Sequence, residues 1–546
     1  MNYEYLSNKN GVYKYGRGDS LERISNPMGI RNIYFNIDTN QYKAEIEFSA
    51  FKETRSIQVD RAVYLQRNSL LSLQSVGLDV THNNVAKLVD YFREEEDRKL
   101  ANVKNVHSTL GFGVYNNKRI YKLYEAIGIE SIYDGVYDIK PKGSYDAYKK
   151  MLKDEVWGNY ALEFILAASM SAVLIGYLGE SLDLESPIIH LVGNSSTGKS
   201  SAMKLAISAF SSPNAHGNSL FTSYNGTNNA LVKKITGLTG VPYALDELSM
   251  SSTANFTTFI YTLANGSEKE RLTKDSTLMA KNTFRTTIFS NGEKSLISNA
   301  SKAAGVQVRV IEILNRVFTS SSGNAERIQE TILKNNGFLG PEFARLVMNQ
   351  GEQKLSRRYD SVRKILLDTI NDTLSADKLT PRRCNKYAII LLSAELLQEL
   401  LGLELQIYKI RDLLIQVERE SLVARNFKES VLDFIKDFVA IHNTQFDSSI
   451  NNYKGSLGKI IQKKDCIEVQ MNKTSFQNML KEGRYEDPDV VLKELKSSGY
   501  LNCEKDRFTR SRRNDLGFKE DVYVIVLKNE DITPTLKNPD IPDKFE

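Results

Sequence analysis

The chain of 546 residues is too long for a single hydrophobic core, and with 41% hydrophobic and 25% charged residues it is neither collagen-like, mucin-like nor wholly disordered. Against 72 Lys plus Arg stand 67 Asp plus Glu, a net charge of +5, so any surface for nucleic acid has to be local. The cysteines Cys384, Cys466 and Cys503 lie far apart with no CxxC pair, so neither a disulfide framework nor a Cys-based zinc site is indicated, and a reducing, cytoplasmic setting fits best.

Met1 to Arg17 is polar and lacks the apolar run of a signal peptide. Tyr42, Ala44, Ile46 and Phe48 alternate with charged residues, the period of a half-buried strand, and residues 1–150 read as a β-containing N-terminal domain. Phe164 to Leu178 carries no charge, but Glu163 and Glu180 close the run short of the roughly 20 apolar residues a bilayer span needs. A buried helix, and no membrane contact, is expected. Residues 151–323 alternate short apolar strands with helical stretches, the pattern of a parallel α/β sheet.

The chemistry-bearing motifs fall in this segment. Pro187 to Val192 is an apolar strand running into Gly193-Asn194-Ser195-Ser196-Thr197-Gly198-Lys199-Ser200, followed by a helical run from Ser201. This is GxxxxGK[ST] between strand and helix, a P-loop. Backbone N–H groups from Gly193 to Ser201 can close around phosphates, Lys199 reaches the β- and γ-phosphates, and Ser200 ligates Mg²⁺. ATP and Mg²⁺ are therefore the expected nucleotide and metal. A second short strand, Pro242 to Leu245, ends in Asp246, placed to hold the Mg²⁺ shell, and Glu247, placed to polarise the attacking water. A third strand, Thr286 to Ser290, ends at Asn291, where a polar side chain can orient that water.

Three strands so ordered give an AAA+ core with an additional strand, whose active sites form between subunits. Such a site needs a cation from the neighbour, because charge spreading over the γ-phosphoryl group must be neutralised. Arg309, at the start of the next apolar strand, is the candidate, with pairing to Glu312 as the alternative. Arg382 or Arg383, opening a later helix, could act as a second sensor. Between the second and third strands, Ser267 to Arg285 reads as a hairpin carrying Arg271, Lys274 and Lys281. In a ring it would point into the pore, with Lys274 gripping a phosphate of single-stranded DNA.

Residues 324–442 are helical, a lid or bundle, and a polar Asn/Ser-rich stretch from His442 to Ser456 separates them from a smaller domain at 457–528. Two helices, Ser475 to Leu480 and Pro488 to Ser498, a basic arm from Lys505 to Arg513 and a strand from Val522 to Leu527 give a winged-helix-like pattern that could touch duplex DNA. Residues 529–546, with Pro534, Pro539 and Pro542 among charges, read as a disordered tail.

The segments His190 to Ala206, Ser223 to Leu231 (SYNGTNNAL), Leu245 to Ser249 (LDELS), Phe284 to Glu293 (FRTTIFSNGE), Gly305 to Ile313 (GVQVRVIEI) and Asn336 to Phe343 (NGFLGPEF) resemble those of the MCM-like AAA+ helicases carried by staphylococcal cassette chromosome elements. That family was long labelled only as a domain of unknown function. The resemblance implies a hexameric, ATP-dependent DNA helicase of 3′ to 5′ polarity that serves replication of a mobile element in a bacterial cytoplasm, with possible replication partners. It also implies Lys199 and Ser200 as Walker A residues, Asp246 and Glu247 as the Walker B pair, Asn291 as sensor 1, Arg309 as arginine finger and Lys274 on the hairpin before sensor 1. Two other classes use the same ATPase: an AAA+ remodeller of protein complexes, and a DNA-binding regulator switched by ATP. The cationic hairpin speaks against the first, since polypeptide translocases favour an aromatic pore loop; Glu247, suited to hydrolysis, speaks against the second.

Overall fold

The computed structural model describes all residues except 1–3, 18–19, 215, 254–255, 269–281, 301–303, 426, 447–455, 486, 514–517 and 529–546. The expected tail, and Arg271, Lys274 and Lys281 of the expected hairpin, lie outside the described residues.

At the centre is a five-stranded sheet in the spatial order Phe221–Ser223, Tyr243–Asp246, Ile288–Gly292, Ile188–Val192, Val310–Leu314, with every pairing parallel. The strand carrying Asn291 thus lies between the P-loop strand and the strand that ends in Asp246. Register places Leu191 opposite Asn291 and Leu245 opposite Ser290, so the functional ends of the three strands line up along one edge of the sheet. The two middle strands are buried along their whole length, as a parallel sheet covered on both faces requires.

The apolar run expected as a buried helix spans Tyr160–Leu178 and is buried on nearly every side. It is the one described helix long and apolar enough to cross a membrane, but it lies inside the protein core, packed against the helices Lys199–Ser208 and Thr380–Leu401. Asn159 caps its start, accepting from the N–H groups of Ala161 and Leu162. Glu163, fully buried, is satisfied by the N–H groups of Gly158 and Gln406, each at 2.8 Å. Gly176 is required by close approach: a Cβ there would stand 2.6 Å from Gly240 Cα.

Three hydrophobic clusters divide the chain. The first runs from Tyr5 to Phe92, the second from Leu110 to Val417, and the third from Val431 to Leu527. The expected closure of the N-terminal domain at 150 therefore falls inside the central cluster, to which Leu110, Tyr121, Ile139 and Tyr148 belong. The reason is that Leu110–Tyr115 pairs with Leu238–Thr239, a strand of the central segment. Likewise the helices from Ser322 to Arg425 share the central core, whereas Phe427–Ile441, expected with the bundle, lends Val431, Leu432, Ile435 and Phe438 to the C-terminal cluster. In the first cluster Gln41–Ala50 buries Ala44, Ile46 and Phe48 as its alternation predicts; Tyr42 is exposed and packs its ring on Phe35 instead.

In the C-terminal unit the two expected helices are Lys473–Glu482 and Pro488–Ser497, capped by Asn472 and Asp487. They pack on an antiparallel sheet in the order Gly458–Gln462, Cys466–Asn472, Lys519–Lys528, Arg510–Arg513. The first strand pair was not foreseen. Part of the basic arm, expected as a turn, forms the edge strand Arg510–Arg513.

Candidate active site

The P-loop strand ends at Gly193, and the chain curls through Asn194 to Thr197 into Gly198, where the helix Lys199–Ser208 begins. Gly198 has φ +83°, and a Cβ there would stand 2.5 Å from Thr319 Oγ1, so both conformation and space demand glycine. Ser196, at φ 66°, is also left-handed. Lys199 Nζ donates to the carbonyls of Gly193 (2.8 Å) and Asn194 (2.7 Å), which lays the amine across the loop. Thr197 Oγ1 donates to Asn194 O and Ser195 Oγ to Glu293 Oε1 (2.7 Å), while the Phe318 N–H donates to Thr197 O (2.9 Å). Ser201 differs from the other loop residues: it is buried, and its hydroxyl accepts from Gln329 Nε2 at 2.6 Å, tying it to the helix Ser322–Lys334.

Two strand ends meet the first turn of the helix Lys199–Ser208 at Ser200. Ser200 Oγ donates to Asp246 Oδ1 (2.9 Å), and Asn291 Nδ2 donates to both Ser200 Oγ (3.1 Å) and Asp246 Oδ1 (2.7 Å). The other end of the same amide accepts from the Glu247 N–H (2.7 Å). Asn291 is only 2% exposed, and these partners fix which way its amide points. Glu247 itself has φ 61° and ψ 80°, a conformation costing a non-glycine residue about 1–3 kcal/mol, and its carboxylate accepts from Ser249 Oγ (2.6 Å).

Beneath this layer, Ser290 Oγ lies 2.7 Å from both His190 Nδ1 and Tyr224 OH, all three buried. Burial pushes the His190 imidazole below its ordinary range, so it packs as a neutral ring. His190, Tyr224, Ser290, Ser249 and Glu293 fall within the segments that carry the resemblance, but the sequence assigned none of them a role, and Thr319 lies in no motif.

The donor set fits a nucleotide with Mg²⁺. Ser200 and Asp246 offer adjacent hard oxygens, and among the described residues no group of three His, Cys, Asp or Glu could hold a metal ion alone. Mg²⁺ is commonly held by one or two protein oxygens plus substrate phosphates, which is what this pair could supply.

Arg309 ends the short helix Ala304–Arg309 and precedes the strand Val310–Leu314. Val310 pairs with Ile188, so Arg309 lies at the opposite end of the sheet from the P-loop, a strand length of about 16 Å away. Its partner is Glu185 Oε1 (3.2 Å) and not Glu312, which accepts from Ser295 and from the Ile297 N–H. Nη1 donates to Gly305 O (2.9 Å) and the guanidinium lies 4.5 Å over the Tyr261 ring. Arg382, half exposed, binds the same Glu185 oxygen at 2.8 Å. Arg383 is consumed by packing: 2% exposed, it pairs with the buried Glu418 at 2.7 Å and donates to the carbonyls of Gln307 and Val310. It offers no free cation to a nucleotide.

Three comparisons bear on the chain. A family model described as "Domain of unknown function (DUF927)" matches residues 5–283, and one described as "Cch helix turn helix domain" matches residues 427–530. The comparison with curated proteins gives no match. A solved structure named "SCCmec type IV Cch - active helicase" is similar in fold, with a TM-score of 0.76 at 23% identity over 97% of this chain and 98% of that chain. Because the first model spans more than half of the sequence and takes in both the P-loop and the Asp246–Glu247 strand end, the chain belongs to the DUF927 family.

Proposed function

We infer that this protein is an ATP-driven DNA helicase with an AAA+ core, whose subunits assemble so that each nucleotide lies at a subunit boundary. The observation that carries the reading is Asn291, on the strand inserted between the P-loop strand and the Asp246 strand, joining Ser200, Asp246 and the Glu247 backbone through one amide. This arrangement couples the groups that would hold Mg²⁺ to the acid that would activate water.

In that reading Lys199 and the loop N–H groups bind the β- and γ-phosphates, and Ser200 and Asp246 hold the metal, which when bound neutralises charge developing on the transferred phosphoryl group. Glu247 takes the proton of the attacking water, and its strained backbone keeps the carboxylate aimed. Arg309 stands about a strand length from its own P-loop, so any part it takes in hydrolysis would be at a neighbour's site. The likeness to a solved structure named an active helicase, and the helix-turn-helix match, favour DNA over polypeptide as the substrate. Hexamer formation, 3′ to 5′ polarity, an MCM-like mechanism and a role in mobile-element replication extend the same reading.

The test is ATP hydrolysis with and without single-stranded DNA. Stimulation by DNA in the parent, and its loss in Glu247→Gln with ATP binding retained, are expected; parent-rate hydrolysis by Glu247→Gln would remove the assignment of the base.

A further inference from the structure

Glu185 stands just before the P-loop strand, at the end away from the phosphate loop, and no motif contains it. It binds three cations drawn from two other parts of the chain: Arg309 at 3.2 Å, Arg382 at 2.8 Å and Lys386 at 2.8 Å. Arg309 comes from the helix before the last sheet strand, and Arg382 and Lys386 from the first turns of the helix Thr380–Leu401. A cleft of about 200 Å³ opens beside them, lined by Asp183, Glu185, Arg382, Asn385 and Lys386.

The charges do not balance locally. Lys386 is 5% exposed, and burial pushes its amine down despite Glu185. Burial also acts to raise the Glu185 carboxyl, but Lys386, Arg309 and Arg382 together hold it below the ordinary carboxylate range. A carboxylate that stays ionised is thus the counter-charge keeping three like charges together. Without it they would repel one another, and Arg309 would be left with Gly305 O, a 3.4 Å contact to Asn265 Oδ1 and the Tyr261 ring.

Resting on the reading of Arg309 as the cation supplied to a neighbour, we propose that Glu185 is the positioning residue of that cation: a strut that fixes the Arg309 guanidinium to the P-loop strand of its own subunit and to the helix Thr380–Leu401. Each subunit's finger is then tied mechanically to its own nucleotide site. A bound nucleotide acts at the loop end of the strand Ile188–Val192, and the finger is held at its other end. Glu185 touches no nucleotide; it acts only through Arg309.

The experiment uses the full-length chain with ATP. Glu185→Gln should lower kcat about 10²-fold, the scale of a misplaced reacting group, and leave KM for ATP within about twofold. Glu185→Asp, which keeps the charge, should recover part of the loss. Because Glu185→Gln leaves Lys386 buried without its counter-charge, the double variant Glu185→Gln/Lys386→Met is made as well. It should fold as the parent does and still lose kcat.

Mixed assemblies locate the effect. Combined with Lys199→Ala subunits, which keep a sound finger, Glu185→Gln subunits should regain hydrolysis. Combined with Arg309→Ala subunits, which keep a sound P-loop, they should not. Recovery in the second mixture and not the first would place Glu185's role in its own P-loop and overturn the proposal, as would parent kcat in the folded double variant. Failure of the underlying reading shows separately: Arg309→Ala and Lys199→Ala subunits in confirmed mixed assemblies would then recover no activity.

Discussion

Asn291→Ala sets a larger loss against a smaller relief at one position. The substitution removes a bond from the Asn291 amide to the ionised Asp246, worth about 1.5–3 kcal/mol, and bonds to Ser200 and to the Glu247 N–H, worth about 1 kcal/mol each. It also releases Glu247 from a left-handed conformation that costs about 1–3 kcal/mol. Loss outweighs relief, leaving a net destabilisation of about 1–3 kcal/mol, visible as a fall of a few degrees in Tm by calorimetry. Hydrolysis should suffer far more than stability. Glu247 loses the contact that aims it, and kcat should fall at least about 10²-fold with KM for ATP little changed. Glu247→Gly in the same assay separates the terms: it removes the strain and the base together, so it should be as inactive as Asn291→Ala yet more stable than it. If Asn291→Ala were to hydrolyse ATP at the parent rate, the coupling through this amide would be refuted.

Other outcomes are specific to other parts of the chain. Lys199→Ala should abolish hydrolysis, measured by phosphate release, by removing the cation on the β- and γ-phosphates. Lys274→Ala should leave basal hydrolysis intact and weaken single-strand binding in a fluorescence anisotropy titration; undiminished binding would remove Lys274 from the DNA path. Glu418→Gln should cost about 3–5 kcal/mol in denaturant unfolding, since it leaves the buried Arg383 and Arg425 without their shared carboxylate. Although burial acts to raise it, those arginines hold the Glu418 carboxyl below its ordinary value of 4.5. Its stabilising contribution is therefore complete above that pH and is lost as the pH falls through the depressed folded-state value, so the parent's Tm should drop on acidification below pH 4.5.

What the sequence disclosed, and what it hid, follows from how local each signal is. The P-loop was legible because its glycines, lysine and serine must stand at fixed spacing between a strand and a helix, and the structure has that strand, loop and helix at the same residues. Asp246 and Asn291 were legible as strand ends, but their meeting depended on strand order, which spacing alone does not reveal. Glu185 was invisible: its partners lie more than a hundred residues on, and it is one of several acids in the connecting stretch from Glu180, which carries no pattern. The boundary at 150 misled because Leu110–Tyr115 joins a central strand only through folding, and Phe427–Ile441 has the same helical period whichever core it serves. Left-handed Glu247 could not be foreseen, since nothing in LDELS marks a strained backbone.

The most direct measurement of the central claim is strand separation on a forked DNA duplex by the full-length protein with ATP and Mg²⁺, compared with Glu247→Gln. The account predicts displaced strand with the parent and none with Glu247→Gln. Duplex left intact by a parent preparation that hydrolyses ATP and binds the fork would contradict the helicase assignment.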